Sequence, residues 1–205
     1  MKIRVGMGYD VHQLVEGRDL WMGGIKIEHS KGLLGHSDAD VLLHAICDAL
    51  LGAANMRDIG YHFPDTAAFT DGMDSKVILK ETIKLIATKG YRLGNIDATI
   101  CAERPKMNPH IPAMKACMAE ICGCDEDDIS IKATTTEKLG FTGREEGISA
   151  YAVVLIEKQY CVITIISDSR EQTPSFVSPA EAGEIYKRKM LRLSRAAASK
   201  KPMFN

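Results

Sequence analysis

Two hydrophobic patterns alternate along the first 158 residues and predict strands and helices in turn. Alternation of apolar and polar residues predicts five strands, over residues 2–12, 19–29, 95–103, 128–136 and 148–158. Apolar spacing of three and four predicts three helices, over residues 38–54, 75–90 and 113–123. The pair Gly23-Gly24 in the second strand indicates a bulge or a close approach of two backbones. Because strands and helices alternate, we expect a sheet with helices packed on one face.

The first predicted helix carries an unusual set of polar side chains. Ser37, followed three residues later by Asp40, resembles a capping box, so the helix is expected to begin at about Asp38. Asp40, His44 and Asp48 then follow at intervals of four, which places a polar stripe on an otherwise apolar helix. Polar side chains on a buried helix face need a polar partner. The stripe therefore indicates a polar site at the surface against which this helix packs.

A metal site is the chemistry that this stripe favours. Asp10 and His12 lie two residues apart in the first strand and therefore project from the same face. Alone, such a pair is more often a surface hydrogen bond. With His44 it offers one oxygen and two nitrogens, the ligand set of a catalytic zinc site with its fourth position open. Asp40 or Asp48 would then be the carboxylate that orients His44.

Three further segments contain groups that bind phosphate. His36 and Ser37 stand just before the helix, where free N–H groups favour an anion. Lys106 lies in a loop with three prolines, and residues 134–144 combine three consecutive threonines with Glu137 and Arg144. A single glutamate beside hydroxyl groups suits a hard ion such as Mg²⁺. The competing interpretation of this last segment is a strand that simply ends in threonines and turns.

Composition adds limits on partners and location. The chain has 205 residues, 45% of them hydrophobic, and a formal net charge of −1, so the charge balance predicts no acidic or basic partner, and no nucleic acid is expected for the main body. Six cysteines form no C-x-x-C pair, which favours reduced thiols in a reducing compartment. No apolar run approaches the ~20 residues of a membrane span, and no signal peptide is recognisable. We therefore expect a cytoplasmic protein.

The C-terminal residues form a segment of different character. Residues 160–205 carry eight Lys/Arg against four Asp/Glu, so this segment is +4 and the remaining chain is −5. The pattern predicts an extra strand within 159–167, a polar linker over 168–176, and a basic amphipathic helix that begins at Ser178. We expect two units, 1–159 and 160–205. The helix would dock on the acidic body or, alternatively, contact an anionic membrane, nucleic acid or another enzyme.

The motifs together resemble one family of enzymes. The segments "GYDVHQL", "KGLLGHSDADVLLHAICDALLGAA", "DIGYHFPDT", "KGYRLGNIDATI", "RPKMNPHI" and "IKATTTEKLGFTGREEGI" closely resemble those of 2-C-methyl-D-erythritol 2,4-cyclodiphosphate synthases, over residues 1 to about 159. The resemblance implies an α+β fold with a mixed sheet, assembled as a homotrimer with active sites between subunits. It also implies an enzyme of non-mevalonate isoprenoid synthesis. Its substrate would be 4-diphosphocytidyl-2-C-methyl-D-erythritol 2-phosphate, whose 2-phosphate attacks the β-phosphorus and releases CMP.

The resemblance also assigns roles to individual residues. Asp10, His12 and His44 would bind one Zn²⁺ per subunit, and Glu137 would hold a Mg²⁺ or Mn²⁺ on the diphosphate. His36 and Thr135 would stabilise the transition state. The substrate-contacting positions fall along the chain in five groups: Asp10, His12, His36 and Ser37; Asp58, Gly60, Phe63, Pro64, Asp65 and Thr66; Ala102, Glu103, Arg104, Pro105, Lys106, Met107 and Asn108; Thr134, Thr135, Thr136 and Glu137; Phe141 and Arg144.

Two positions depart from the family pattern, and two other functions stay open. Ala67 stands where many relatives have an acidic residue, and Asn108 where an apolar residue is common. The same ligands would also serve a zinc-dependent phosphohydrolase that activates water. A non-catalytic trimer stabilised by zinc is the third interpretation.

Overall fold

The computed structural model describes residues 2–64 and 72–159, together with the backbone of 161–162 and 176–177. Contacts within the chain divide it into two compact units, Met1–Lys158 and Gln159–Asn205. Of the second unit, the structure describes two strands of two residues each, which pair antiparallel. The predicted C-terminal helix lies outside the described residues, as do most of the linker and of the predicted extra strand.

The first unit contains seven strands and five α-helices within its described residues. The strands are β1 (Ile3–Glu16), β2 (Leu20–Met22), β3 (Ile25–Ile27), β4 (Lys31–Leu33), β5 (Tyr91–Cys101), β6 (Ile129–Thr134) and β7 (Gly147–Lys158). The helices are α1 (Val41–Ala53), α2 (Ile59–His62), α3 (Ser75–Thr88), α4 (Ile111–Cys122) and α5 (Gly140–Gly143). The second unit adds β8 (Cys161–Val162) and β9 (Phe176–Val177). Among the described helices, none is long and apolar enough to cross a membrane.

Five strands form the main sheet in the order β4-β1-β7-β5-β6. The β5–β6 pair is parallel and the other pairs are antiparallel, so the sheet is mixed. Helix α1 packs across β1 and β7, and its apolar side chains are buried with the inward residues of those strands. These features confirm the predicted α+β class and the mixed sheet packed against helices.

Close packing of α1 on β1 depends on a glycine. A Cβ atom at Gly8 would lie 2.0 Å from the carbonyl oxygen of Ala45 and 2.8 Å from the backbone nitrogen of Ala49, so any side chain there would collide with the helix backbone. The small residues on α1 complete the fit. The helix therefore sits close enough to β1 for side chains of the two elements to meet.

The structure corrects two predictions near the start of the chain. Residues 19–29 form a hairpin rather than one strand, because Gly23 and Gly24 both take positive φ angles and turn the chain between β2 and β3. The close neighbour of this turn is a side chain rather than a second backbone: a Cβ on Gly23 would lie 2.7 Å from Cγ of Met114. Helix α1 begins at Val41, and its N-cap is Asp40, not Ser37, since the Asp40 carboxylate accepts the Leu43 N–H.

Other elements differ mainly in their ends. β5 begins four residues earlier than predicted, and β1 extends to Glu16. The predicted second helix is confirmed as α3, followed by Gly90 with a positive φ angle. The short strand β4 and the single-turn helices α2 and α5 were not predicted. Elements this short carry too few residues to show a hydrophobic period.

The face of the sheet away from α1 carries large apolar side chains that are exposed in the single chain. Val5 and Met7 on β1 are 64% and 59% exposed, and Val153 on β7 is 44% exposed. Met7 pairs with Val153 across the two strands. Two residues further along β1, Tyr9 pairs with Tyr151, and their rings lie 4.8 Å apart. These side chains form one apolar surface on the sheet. We call it the open face.

Candidate active site and metal centre

Three predicted ligands meet where β1 passes under α1. Asp10 Oδ2 lies 3.1 Å from His12 Nε2 and 3.0 Å from His44 Nδ1, and the two ring nitrogens are 3.1 Å apart. Asp10 and His12 share a face of β1 because they are two residues apart, and His44 projects from the second turn of α1. This triad is a candidate metal-binding site.

The charges within the triad shift two pKa values. Burial raises the pKa of Asp10, but hydrogen bonds from His12 and His44 outweigh burial and hold it well below its usual range. Burial lowers the pKa of His44, yet the Asp10 carboxylate raises it by more, so the net shift is upward. In the absence of a metal, the Asp10 carboxylate therefore favours the protonated form of His44.

The two acids flanking His44 on α1 do not orient it, contrary to the prediction. Asp40 is fully buried and accepts hydrogen bonds from the N–H groups of Gly23, Gly24 and Leu43. Asp48 accepts the N–H of Ile59 at 2.7 Å and so fixes the start of α2. Both carboxylates serve the backbone.

Two hydroxyl groups contact His44 instead. Its Nε2 atom lies 3.0 Å from Ser75 Oγ and 3.2 Å from Ser37 Oγ. Ser75 begins α3, 31 residues further along the chain, and was not among the predicted site residues. The sequence carries no signal for it, because only the folded chain brings α3 beside α1.

A cavity of about 230 Å³ opens beside the triad. We call it the metal cavity; it is lined by Asp10, His12, Gly35, His36, Ser37, His44, Ile59, Gly60, Phe63 and Ile78. His36, Ser37, Gly60 and Phe63 thus lie where the predicted phosphate and sugar contacts would be. The sequence predicts that a phosphate would bind the free N–H groups at the start of α1. The Asp40 carboxylate already occupies that helix N-terminus, so a phosphate near His36 and Ser37 would not bind in this way. Asp58 caps α2, and Asp65 and Thr66 lie outside the described residues.

A second cavity, of about 670 Å³, lies at the predicted cytidine and diphosphate segments. We call it the loop cavity; it is lined by His29, Glu103, Arg104, Pro105, Lys106, Thr135, Lys138, Gly143 and Glu145. His29, Lys138, Gly143 and Glu145 were not predicted as site residues. Of the remaining predicted positions in this region, Ala102 and Met107 are buried, whereas Thr134, Asn108 and Glu137 are exposed.

Glu103 fixes the turn that carries the predicted diphosphate contacts. Its Oε1 atom accepts the backbone N–H groups of Thr136, at 3.1 Å, and Lys138, at 3.0 Å. Glu137 and Lys138 both take positive φ angles, which non-glycine residues rarely adopt. Thr135 Oγ1 donates to Glu137 Oε1 at 3.0 Å. A carboxylate holding a strained turn in this way is a strong sign of a functional loop.

The two cavities share no lining residue, and the sheet register separates Asp10 from the end of β6. Asp10 on β1 is aligned with Ala150 on β7, Ile100 on β5 and Ala133 on β6. Three strand spacings of about 4.8 Å therefore separate β1 from β6, or about 14 Å at this level. Thr134, next to Ala133, points to the opposite face of the sheet from Asp10. Within one chain, the two cavities therefore form two separate halves, while Phe141 lies beside Gly147, close to the backbone of His12.

Comparisons with known proteins assign the chain to a family. A family model described as the YgbB family matches residues 3–157. The chain belongs to the YgbB family. The 2-C-methyl-D-erythritol 2,4-cyclodiphosphate synthase of Bacteroides thetaiotaomicron is 78% identical over 158 residues, which cover 77% of this chain and 99% of that protein.

Solved structures of YgbB-type proteins have the same fold. A 2C-methyl-D-erythritol-2,4-cyclodiphosphate synthase in a CDP-bound form is 36% identical, with a TM-score of 0.70, and the match covers 75% of this chain and all of that one. The bifunctional IspDF from Campylobacter jejuni is 40% identical, with a TM-score of 0.75. That match covers 77% of this chain but 43% of the bifunctional chain.

Membership of the YgbB family confirms the family and the enzyme class that the motifs predict. The chain is a synthase of this type, acting in non-mevalonate isoprenoid synthesis, which decides against the phosphohydrolase and the non-catalytic trimer. The comparisons leave open which residues act, which ions bind and how the chain assembles.

Proposed function

We propose that the chain converts 4-diphosphocytidyl-2-C-methyl-D-erythritol 2-phosphate to 2-C-methyl-D-erythritol 2,4-cyclodiphosphate and CMP, in a site completed by a second subunit. The observation that carries this proposal is the open metal cavity, where Asp10, His12 and His44 converge beside His36 and Ser37. The reaction joins two phosphates of one substrate, so the protein needs to position them and to balance their charge.

The triad fits zinc in both chemistry and spacing. Ligand atoms bound tetrahedrally at the usual zinc distances lie about 3.3 Å from one another. The three observed separations are 3.0–3.1 Å, so only a small outward adjustment is needed. Two imidazoles and one carboxylate also leave a fourth position open toward the cavity. Zinc held by Asp10, His12 and His44 would supply a Lewis acid for a phosphate oxygen.

The chain's own residues would perform the remaining steps. His36 and Ser37, on the wall of the metal cavity, would contact the phosphate, and Gly60 and Phe63 would enclose the sugar. On a second subunit, Lys106 and Thr135 of the loop cavity would hold the diphosphate. His36 and Thr135 would thereby stabilise the charge that develops as CMP leaves.

Glu137 is the proposed ligand of a second divalent ion, Mg²⁺ or Mn²⁺. Its carboxylate is exposed, and its backbone is fixed by the turn that Glu103 holds. Carboxylate and phosphate oxygens are the ligands that these hard ions prefer. The cytidine would bind along Ala102 to Asn108, where backbone groups can recognise the base. The CDP-bound relative supports a cytidine nucleotide as the ligand.

A homotrimer with shared sites would account for the two separate halves. The open face offers apolar surface for assembly, and a cyclic arrangement would bring the metal cavity of one subunit to the loop cavity of the next. Phe141 and Arg144 would close this junction. The five free cysteines among the described residues fit a reducing, cytoplasmic setting. We further propose that residues 1–159 suffice for catalysis and that 160–205 form an accessory extension.

Product analysis tests the reaction directly. Full-length protein is incubated with the cytidine substrate in ¹⁸O-labelled water, and CMP and the cyclic product are identified by mass spectrometry. Intramolecular attack puts no ¹⁸O into either product, whereas hydrolysis labels one of them. His44→Ala should abolish turnover and metal binding, while His110→Ala, which removes a histidine that lines neither cavity, should not. Labelled products, or an active His44→Ala protein without zinc, would overturn the proposal.

Mixing two inactive variants tests the shared site. His44→Ala destroys the metal half and Glu137→Gln the loop half. After dissociation and reassembly at equal amounts, about one quarter of the junctions in a cyclic trimer would pair two intact halves. Recovery of activity near that fraction is expected. No recovery in verified mixed trimers would show that each site is built within one chain.

A further inference from the structure

His44 is held on both sides of its ring. Its Nδ1 atom faces Asp10 and His12, whereas its Nε2 atom faces Ser75 Oγ at 3.0 Å. A neutral imidazole carries a proton on one nitrogen only. A metal at the triad requires the lone pair on Nδ1, so the proton has to reside on Nε2 and find an acceptor.

The contacts of Ser75 make its hydroxyl an acceptor for His44. Ser75 Oγ is in short contact with Oδ1 of Asp38, a group that can only accept when ionised. The single hydroxyl proton is therefore committed to Asp38, which leaves the oxygen lone pairs for the Nε2–H of His44. The Ser75 backbone N–H donates to the other carboxylate oxygen of Asp38 at 3.0 Å, so this carboxylate holds the serine at two points.

The surrounding structure keeps this arrangement in place. Ser75 is fully buried at the first position of α3, and the Asp38 N–H donates to the Met73 carbonyl at 3.1 Å. Ser37 Oγ, the second neighbour of Nε2, accepts the N–H of Ala39 at 3.1 Å, and its contact with Nε2 is possible in either direction. Ser37 alone would therefore accept or donate, whereas Ser75 imposes one direction.

We propose that Asp38 and Ser75 form a relay, Asp38···H–Oγ Ser75···H–Nε2 His44, that presents the Nδ1 lone pair of His44 to the metal. Both are positioning residues, and the relay rests on the metal site proposed above. Groups that orient a metal-bound histidine through its second nitrogen commonly change metal affinity 10- to 100-fold, which sets the expected effect.

Zinc affinity, measured by competition with a chromophoric chelator, provides the first test. Ser75→Ala should weaken zinc binding about 10- to 100-fold, and Ser75→Thr, which keeps the hydroxyl, should recover much of the loss. Thr82→Val is the matched control, because it removes another fully buried hydroxyl from α3 that does not contact the triad. Affinities are compared only among variants that unfold cooperatively. Weaker zinc binding in Ser75→Ala beside unchanged binding in Thr82→Val would then separate loss of the relay from loss of a buried hydroxyl in general.

The second test observes the proton itself. In protein loaded with Co²⁺, N–H protons of metal-bound imidazoles give exchangeable, strongly shifted NMR signals. The Nε2–H proton of His44 should exchange slowly with water in the wild type and in Thr82→Val. In Ser75→Ala it should exchange rapidly, so that its signal broadens or disappears. Asp38→Asn should also speed this exchange, because the amide can donate to Ser75 and reverse the relay.

The outcomes separate the relay from the metal site. A wild-type protein with no affinity for zinc or Co²⁺ would overturn the metal centre and the relay together. A wild type that binds zinc, with unchanged affinity and unchanged exchange in Ser75→Ala, would overturn the relay alone.

Discussion

The distance between α1 and β1 determines whether His44 reaches Asp10, and Gly8→Ala is the change that tests it. A Cβ at Gly8 would lie 2.0 Å from the Ala45 carbonyl oxygen, whereas ordinary contact begins near 3.4 Å. The obstacle is helix backbone, which cannot rotate away as a side chain would. The helix would therefore have to retreat by about 1 Å or more, because a packed core has no free volume to absorb the methyl group.

The expected cost follows from two opposing effects. Overpacking of a core typically costs about 1–3 kcal/mol. Because the new methyl group of Gly8→Ala would overlap helix backbone, we expect a cost at the upper end of this range, about 3 kcal/mol. Replacing glycine in a strand returns about 0.5–1 kcal/mol, since the unfolded chain becomes less free. The net loss in the free energy of unfolding is therefore about 2 kcal/mol, or roughly 30-fold in the unfolding equilibrium.

Urea unfolding at a fixed protein concentration measures this loss, since the stability of an assembled protein depends on concentration. Gly52→Ala, on the exposed side of the same helix, is the matched control. A Cβ there meets nothing within 4 Å, so this variant should gain up to about 1 kcal/mol from helix propensity. Gly8→Ala should also bind zinc more weakly, because the triad tolerates little displacement. Wild-type stability and zinc affinity in Gly8→Ala would refute the described packing.

Four further outcomes are expected. Glu103→Ala should lower kcat about 10-fold or more, because it releases the turn that carries Glu137. Glu103→Gln keeps an acceptor oxygen and should lower kcat by less. Val5→Glu on the open face should shift the mass by light scattering to that of a single chain, whereas Val77→Glu, exposed on α3, should not. A chain ending at Lys158 should still release CMP. Zinc affinity should fall with decreasing pH, because the raised pKa of His44 makes protons compete for Nδ1.

Local sequence patterns predicted the triad because they determine which side chains share a face. The i, i+2 spacing of Asp10 and His12 is sufficient to orient both to one side of β1. His44 stood out as an imidazole in an apolar helix. The same reasoning failed for Asp40, because its carboxylate accepts the N–H groups of the Gly23-Gly24 turn in addition to capping α1. A partner seventeen residues away leaves no trace in helical spacing.

Contacts between distant segments account for the other omissions. Ser75 is an ordinary serine at a helix start, and only the packing of α3 on α1 gives it a role at His44. Glu103 likewise acts 33 residues along the chain, on the N–H of Thr136. The resemblance to the family places Glu103 in the cytidine loop, and in the structure its side chain accepts backbone N–H groups of the neighbouring turn. Side chains that serve the backbone are hard to recognise because the groups they bind exist at every residue.

Strand β1 joins the two properties on which the proposed activity depends. Its inward residues Asp10 and His12 contribute to the metal centre, while the alternating outward residues, among them Tyr9 and Val11, are exposed on the open face. Pairing along the whole length of β7 holds the strand in a single register, and a slip of one residue would exchange the two sets. If subunits meet at the open face, then β1 contacts the neighbouring subunit with one face and carries the metal ligands on the other. The position of the metal ligands relative to that neighbour is then determined by a single strand. The loop cavity of that neighbour would consequently meet the metal only when the trimer is assembled, so zinc binding by a dissociated chain is expected to persist without catalysis.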